Sequence, residues 1–136
     1  MADWRENLVE SSEGIASILA ETKRIAVLGI KTEAQRGRPA FYVPEYMARA
    51  GYDIVPVPVY FPDAREILGR PVYRTLADVP QPVDMVNVFR RSHDIPQHVA
   101  DILAARPKAV WIQTGIRNDA AAEALARAGI KVVQDR

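Results

Sequence analysis

The chain has no cysteine in its 136 residues, which excludes disulfides, thiolate metal sites and cysteine nucleophiles. Only two histidines, His93 and His98, remain for imidazole chemistry, and neither has an Asp, Glu or Ser pattern around it that resembles a triad. Helix-surface or capping roles are expected for both. No paired-carboxylate site is visible, and nothing identifies a base for Ser92. Charge of one sign is also lacking: 18 basic and 17 acidic residues leave a net charge of +1, so there is no global field of the kind a general nucleic-acid binder uses. Any anion binding must be local. An apolar run long enough to span a bilayer and a basic leader with an apolar centre are both missing, so the expectation is a soluble, cytoplasmic protein.

Glycine is scarce, at seven residues, and its placement breaks the common nucleotide fingerprints. Gly29 is followed by Ile30 and Lys31, with no second glycine until Gly37, so the G-x-G-x-x-G spacing fails. The second expected strand ends in Val57-Pro58-Val59-Tyr60, where a dinucleotide site would carry a ribose-binding carboxylate. No G-K-[ST] triplet occurs, which removes a P-loop.

What is present is an alternation of helix and strand signals with little sequence between them, the mark of stacked βαβ units. The apolar runs at 25–28, 53–59, 84–89, 108–113 and 131–134 read as strands, with Pro71-Val72-Tyr73 as a short edge strand. Helices are expected over the first 22 residues, with Asp3 and Glu6 as a capping box, and from Pro39 to Gly51, where Pro44 demands a late first turn. Two more are expected from Ile95 to Arg106, capped by Asp94, and from Asn118 to Gly129. The fold class is α/β: a Rossmann-like, doubly wound, mainly parallel sheet of about five to six strands with helices on both faces. Residues 1–136 are expected to form one domain in which 1–22 is a leading helical segment.

In such a sheet ligands lie beyond the carboxyl ends of the strands, where the winding reverses. Three loops qualify: 29–38, 88–92 and 113–118. The first carries Gly29, Lys31, Arg36, Gly37 and Arg38, and the second carries Arg90 and Arg91. Five cations near one crevice of an almost neutral chain suggest a polyanionic ligand, for which the planar fork of arginine is suited. A βα turn that binds nothing, with solvated arginines, is the alternative reading of the same residues.

Six segments in order resemble a known family. They are Ile25-Ala26-Val27-Leu28-Gly29, Gly37-Arg38-Pro39, the run from Glu66 to Tyr73, the run from Thr75 to Pro80, the run from Val83 to Ser92, and Val110-Trp111-Ile112-Gln113-Thr114-Gly115-Ile116. Together they are similar to the small single-domain CoA-binding proteins of the YccU type, relatives of the CoA-binding domain of the succinyl-CoA synthetase alpha subunit. The resemblance runs from Ile25 to the end. It implies coenzyme A or acyl-CoA as ligand, with phosphate contacts at Ile30, Lys31 and the Gly37-Arg38 helix start. It further implies adenosine contacts near Val88, Phe89 and Arg90, with Gln113, Thr114 and Gly115 bordering the pantetheine path. Pro58-Val59-Tyr60 stands where relatives often have an Asn-Pro-Lys type turn, and Tyr60 is placed to stack on a base. The synthetase's phosphohistidine domain is absent, so ligase activity does not transfer. The reading is a non-enzymatic CoA-binding module, with a small-molecule ligand, no nucleic acid, no membrane, and an unidentified protein partner as an open option. An NAD(P)-linked or acyl-transfer enzyme, and an interaction domain without a ligand, are the alternatives.

Overall fold

The computed structural model describes residues 3–136. Met1 and Ala2, part of the expected leading helical segment, lie outside the described residues. Five parallel strands form the main sheet: β1 (Arg24–Leu28), β2 (Asp53–Val57), β5 (Met85–Val88), β6 (Ala109–Ile112) and β7 (Lys131–Val133), in the order β2-β1-β5-β6-β7. β3 (Glu66–Ile67) and β4 (Arg70–Pro71) form a separate antiparallel hairpin. The sheet is thus a Rossmann-like α/β arrangement with all its ladders parallel.

Strands covered on both faces read as continuous apolar runs rather than alternations. Ile25, Ala26 and Val27 of β1 and Met85, Val86 and Val88 of β5 are all fully buried, as befits adjacent strands with a neighbour on either side. Each such valine, isoleucine or methionine side chain contributes about 1.5–3 kcal/mol on burial. Alternate residues face two cores. Val86, Val88, Val110 and Ile112 pack against α3 (Val99–Ala105) and α4 (Asp119–Arg127). Ile25, Val27 and Met85 pack against α1 (Ser12–Glu21) and α2 (Pro39–Arg49).

Several expectations need correction. The leading segment is not one helix: a 3-10 turn at Trp4–Asn7 precedes an extended stretch in which Leu8 bridges Val132 and the Val9 N–H bonds Val132 O at 2.9 Å. This stretch covers the outer edge of β7, so α1 starts only at Ser12, capped by Ser11 rather than Asp3. Pro71-Val72-Tyr73 is not a strand of the main sheet. Arg70 and Pro71 turn back on Glu66 and Ile67, and Tyr73 gives one N–H to Pro56 O at 3.0 Å. Asp94 caps no helix: two 3-10 turns, Ser92–Asp94 and Pro96–His98, come before α3. The Asp84 Oδ2 accepts the N–H groups of Lys23 and Arg24 at 3.0 and 2.9 Å and ties the start of β5 to that of β1. Pro44 sits inside α2, which begins at Pro39 without the late first turn expected. Asn118 caps α4 as its type requires, accepting the Ala121 N–H at 3.0 Å.

Candidate functional site

The chain leaves β1 toward the α1–α2 face and leaves β5 toward the α3–α4 face, so the two connections part above the carboxyl ends of adjacent strands. Gly29 makes that parting possible. Its φ is +87°, and a Cβ there would lie 2.4 Å from Phe89 O and 3.3 Å from Arg90 Cδ. Only glycine permits both the left-handed turn and this approach of backbone to backbone. The Gly29 N–H continues the ladder to Val57 O at 2.9 Å, and Phe89 N–H does the same to Leu28 O at 2.8 Å.

A cleft of about 410 Å³ opens beyond this turn. Lys31, Arg38, Pro39 and Ala40 form one wall, and Phe89, Arg90, Arg91 and Asp94 form the other. Tyr60 and Phe61 reach in from beyond β2, while Gln113 and Ile116 close the β6 side. The volume lies in the range of small-molecule sites, and the mixture of apolar wall and a few charged groups is typical of them.

Of the residues singled out from sequence, Gly29, Lys31, Arg38, Tyr60, Phe89, Arg90, Arg91 and Gln113 meet here. Ile30 and Val88 do not. Both side chains are buried, Ile30 in the α1–α2 core after the Gly29 turn and Val88 in the α3–α4 core, to which strand alternation in β5 directs it. Arg36 is exposed and gives its Nε–H to Glu33 O at 3.1 Å, so four of the five expected cations line the cleft. Gly37 stands in open space before α2. Thr114 Oγ1 donates to Arg136 O and the Gly115 N–H donates to Asp135 Oδ1, which ties both to the C-terminal residues instead of the cleft. Pro39, Ala40, Phe61, Asp94 and Ile116 were missed. Ile116 and Phe61 each adjoin a residue that was named, and Asp94 follows Arg90 at i+4, so spacing alone could have found them.

The four cations differ. Arg90 has a nearly buried side chain, 8 % exposed. Its Nε–H donates to His98 Nε2 at 3.1 Å, its Nη1 donates to the Tyr60 hydroxyl at 3.3 Å, and its Nη2 lies 3.8 Å from Asp94 Oδ2. The guanidinium also sits 5.5 Å from the centre of the Tyr60 ring. Arg91 is mostly exposed and pairs with the same Asp94 at 3.3 Å. Among the described residues no such carboxylate accompanies Lys31 or Arg38 in the cleft. Burial, and then the Arg90 charge, push the His98 imidazole below its usual pKa, against the pull of Asp101 and Asp94. His98 occupies the N-cap position of α3 without a side-chain capping bond, and its half-buried ring is not a plain surface group. It supports Arg90.

Arg74 lies outside the cleft yet shapes it. Its Nη2 donates to the carbonyls of Phe61, Pro62 and Ala64 at 2.9, 3.1 and 2.6 Å, and its Nη1 to Tyr60 O at 3.4 Å. This fixes a loop in which Phe61 has a φ of +62°. The sequence carried no signal for this role. Among the described residues no group of three His, Cys, Asp or Glu side chains converges as a metal site, and no helix is long and apolar enough to cross a membrane.

The sheet order, the glycine turn at its reversal and the cleft beyond define a Rossmann-like α/β protein. The chain belongs to the CoA binding domain family, whose model matches residues 23–136. Uncharacterized protein YneT of Bacillus subtilis (strain 168) is 35% identical over 125 residues, covering 92% of this chain and 89% of that protein. Among solved structures, cell-free ID.343 from Thermus thermophilus superposes with a TM-score of 0.84 at 38% identity, covering 93% of this chain and 92% of that one. A hypothetical protein from Pyrococcus horikoshii OT3 gives 0.82 at 30% identity, covering 93% and 86%.

Proposed function

We propose that the protein binds coenzyme A, free or acylated, as a cytoplasmic module without chemistry of its own. The 3'-phospho-ADP part lies at the carboxyl edge of the sheet, over the β1–β5 reversal. One observation carries this reading: Lys31, Arg38, Arg90 and Arg91 surround the Gly29 turn at the mouth of one cleft, on a chain whose net charge is only +1. Coenzyme A brings a 3'-phosphate and a pyrophosphate, about four negative charges near neutrality. The donor set fits it, with Lys31, Arg90 and, at the start of α2, Arg38 for the phosphates, and the apolar Phe89 and Ile116 wall with Gln113 for the pantetheine arm. No nucleophile and base pair lines the cleft among the described residues, and its one imidazole neighbour, His98, is committed to Arg90.

Calorimetry with CoA, acetyl-CoA, NADH and NADPH tests the proposal. Saturable binding of CoA that weakens with salt, and by about tenfold in Arg38→Ala, is the expected result. A preference for NADPH would turn the reading toward a redox enzyme. No binding of any of the four would leave an interaction domain.

A further inference from the structure

One cleft cation, Arg90, is held by the protein from three sides. Arg90 gives Nε–H to His98, Nη1 to Tyr60 and one Nη2 edge to Asp94. Arginine can only donate, so His98 Nε2 is the acceptor and the ring is neutral, with its proton on Nδ1. A proton added at Nε2 would set one N–H against another and break that bond. An anion arriving on Arg90 and a proton arriving on His98 therefore favour the same rearrangement. We propose that His98 is the positioning residue of Arg90, and that it takes up one proton from solvent when a polyphosphate ligand docks on the guanidinium. The inference rests on the CoA reading of the cleft.

The groups facing the imidazole are few. Arg90 approaches from the end of β5, Asp94 from the 3-10 turn after it, and Asp101 from α3, while the Gln97 amide stands 3.3 Å from Nε2. Tyr60 acts through Arg90. In the free protein, burial and the Arg90 charge hold the ring neutral, and the two aspartates oppose them. A bound phosphate offsets the Arg90 charge, which removes one of the two causes that depress the His98 pKa, while the Asp101 and Asp94 charges that favour the imidazolium remain. Coupling is reciprocal, so protonation must raise anion affinity by the factor by which the anion raises proton affinity.

Dephospho-CoA is the probe, because it lacks the phosphate monoester that titrates near neutrality and would itself exchange protons. Calorimetry in buffers of different ionisation heat should show proton uptake on binding at about pH 6.5 in the wild type. Affinity should rise on the order of fivefold between about pH 8 and about pH 6. His98→Gln keeps an acceptor for Arg90 but cannot titrate, and should bind with no proton uptake and a flat pH profile. Equal proton uptake in both proteins overturns the inference. A second measurement needs no ligand: the imidazole of His98, followed by NMR, should titrate at higher pH in Arg90→Gln than in the wild type, and an unmoved midpoint overturns it too. A protein that binds no CoA species would lose the functional reading, while the imidazole titration would still decide the coupling.

Discussion

Lys31 gives its main-chain N–H to the carbonyl of Ala40 at 3.1 Å, the carbonyl that Pro44, four residues further on, has no N–H to engage. A proline inside a helix orphans such an oxygen, and here the loop after β1 supplies the donor. The same bond withdraws the Lys31 amide from any phosphate and leaves its ammonium for that task. Pro44→Ala restores a competing amide. The expected outcome is faster hydrogen exchange at Lys31 with the helix intact, and an unchanged exchange rate would make the proline incidental.

Gly29→Ala should be severe. The new methyl would meet Phe89 O at 2.4 Å, in a backbone conformation of φ +87°. Close contact and strain together should cost roughly 3 kcal/mol in urea unfolding. A loss below about 1 kcal/mol would mean that β1 and β5 part without difficulty and that the cleft floor is soft.

Arg74→Ala should weaken CoA binding severalfold without removing any group that lines the cleft, since it frees four carbonyls of the loop bearing Tyr60 and Phe61. Arg74→Lys should not rescue it, because an ammonium cannot span the same set of oxygens. Full affinity in the lysine variant contradicts this role.

Asp84 links folding to acid. Burial raises its carboxyl pKa, but the main-chain donors of Arg24 and Lys23, with Lys108 at 3.6 Å, outweigh that and hold it below the ordinary 3.8. The folded state then binds its proton less readily than the unfolded chain. The stability is complete above 3.8 and is lost as pH falls through the lower folded value. Asp84→Ala should cost about 2 kcal/mol at neutral pH and flatten the acid limb of the stability curve. An unchanged acid limb in that variant assigns the acid sensitivity elsewhere.

The central strands were legible because doubly covered strands leave an unbroken apolar run, as at Ile25 to Leu28. The reversal was legible because Gly29 and the arginines lie at strand ends, which the topology gathers at one edge. The hairpin was not. Its tight turn uses positive φ at Leu68 and Gly69, and leucine is not a residue that advertises such a turn. Its anchors are distant in sequence: Glu33 Oε2 accepts the Leu68 N–H at 2.9 Å, and Arg70 pairs with Asp53 at 2.5 Å. The Arg90–His98 bond was hidden for another reason. Two residues eight apart meet only because two short 3-10 turns fold the chain back before α3.

The extended Leu8–Val9 stretch has a consequence for how this protein can be handled. With Trp4 lodged between Arg5 and Arg127, each 4.6 Å from its ring, and the Asn7 amide on Ala126 O at 2.9 Å, this stretch is fastened at both its flank and its face. Trimming the chain to the family boundary at residue 23 would strip the cover from β7. The bared main-chain groups of that strand would then recruit strands from other molecules, and the fragment, having lost Ile18 of α1 from one core as well, would precipitate.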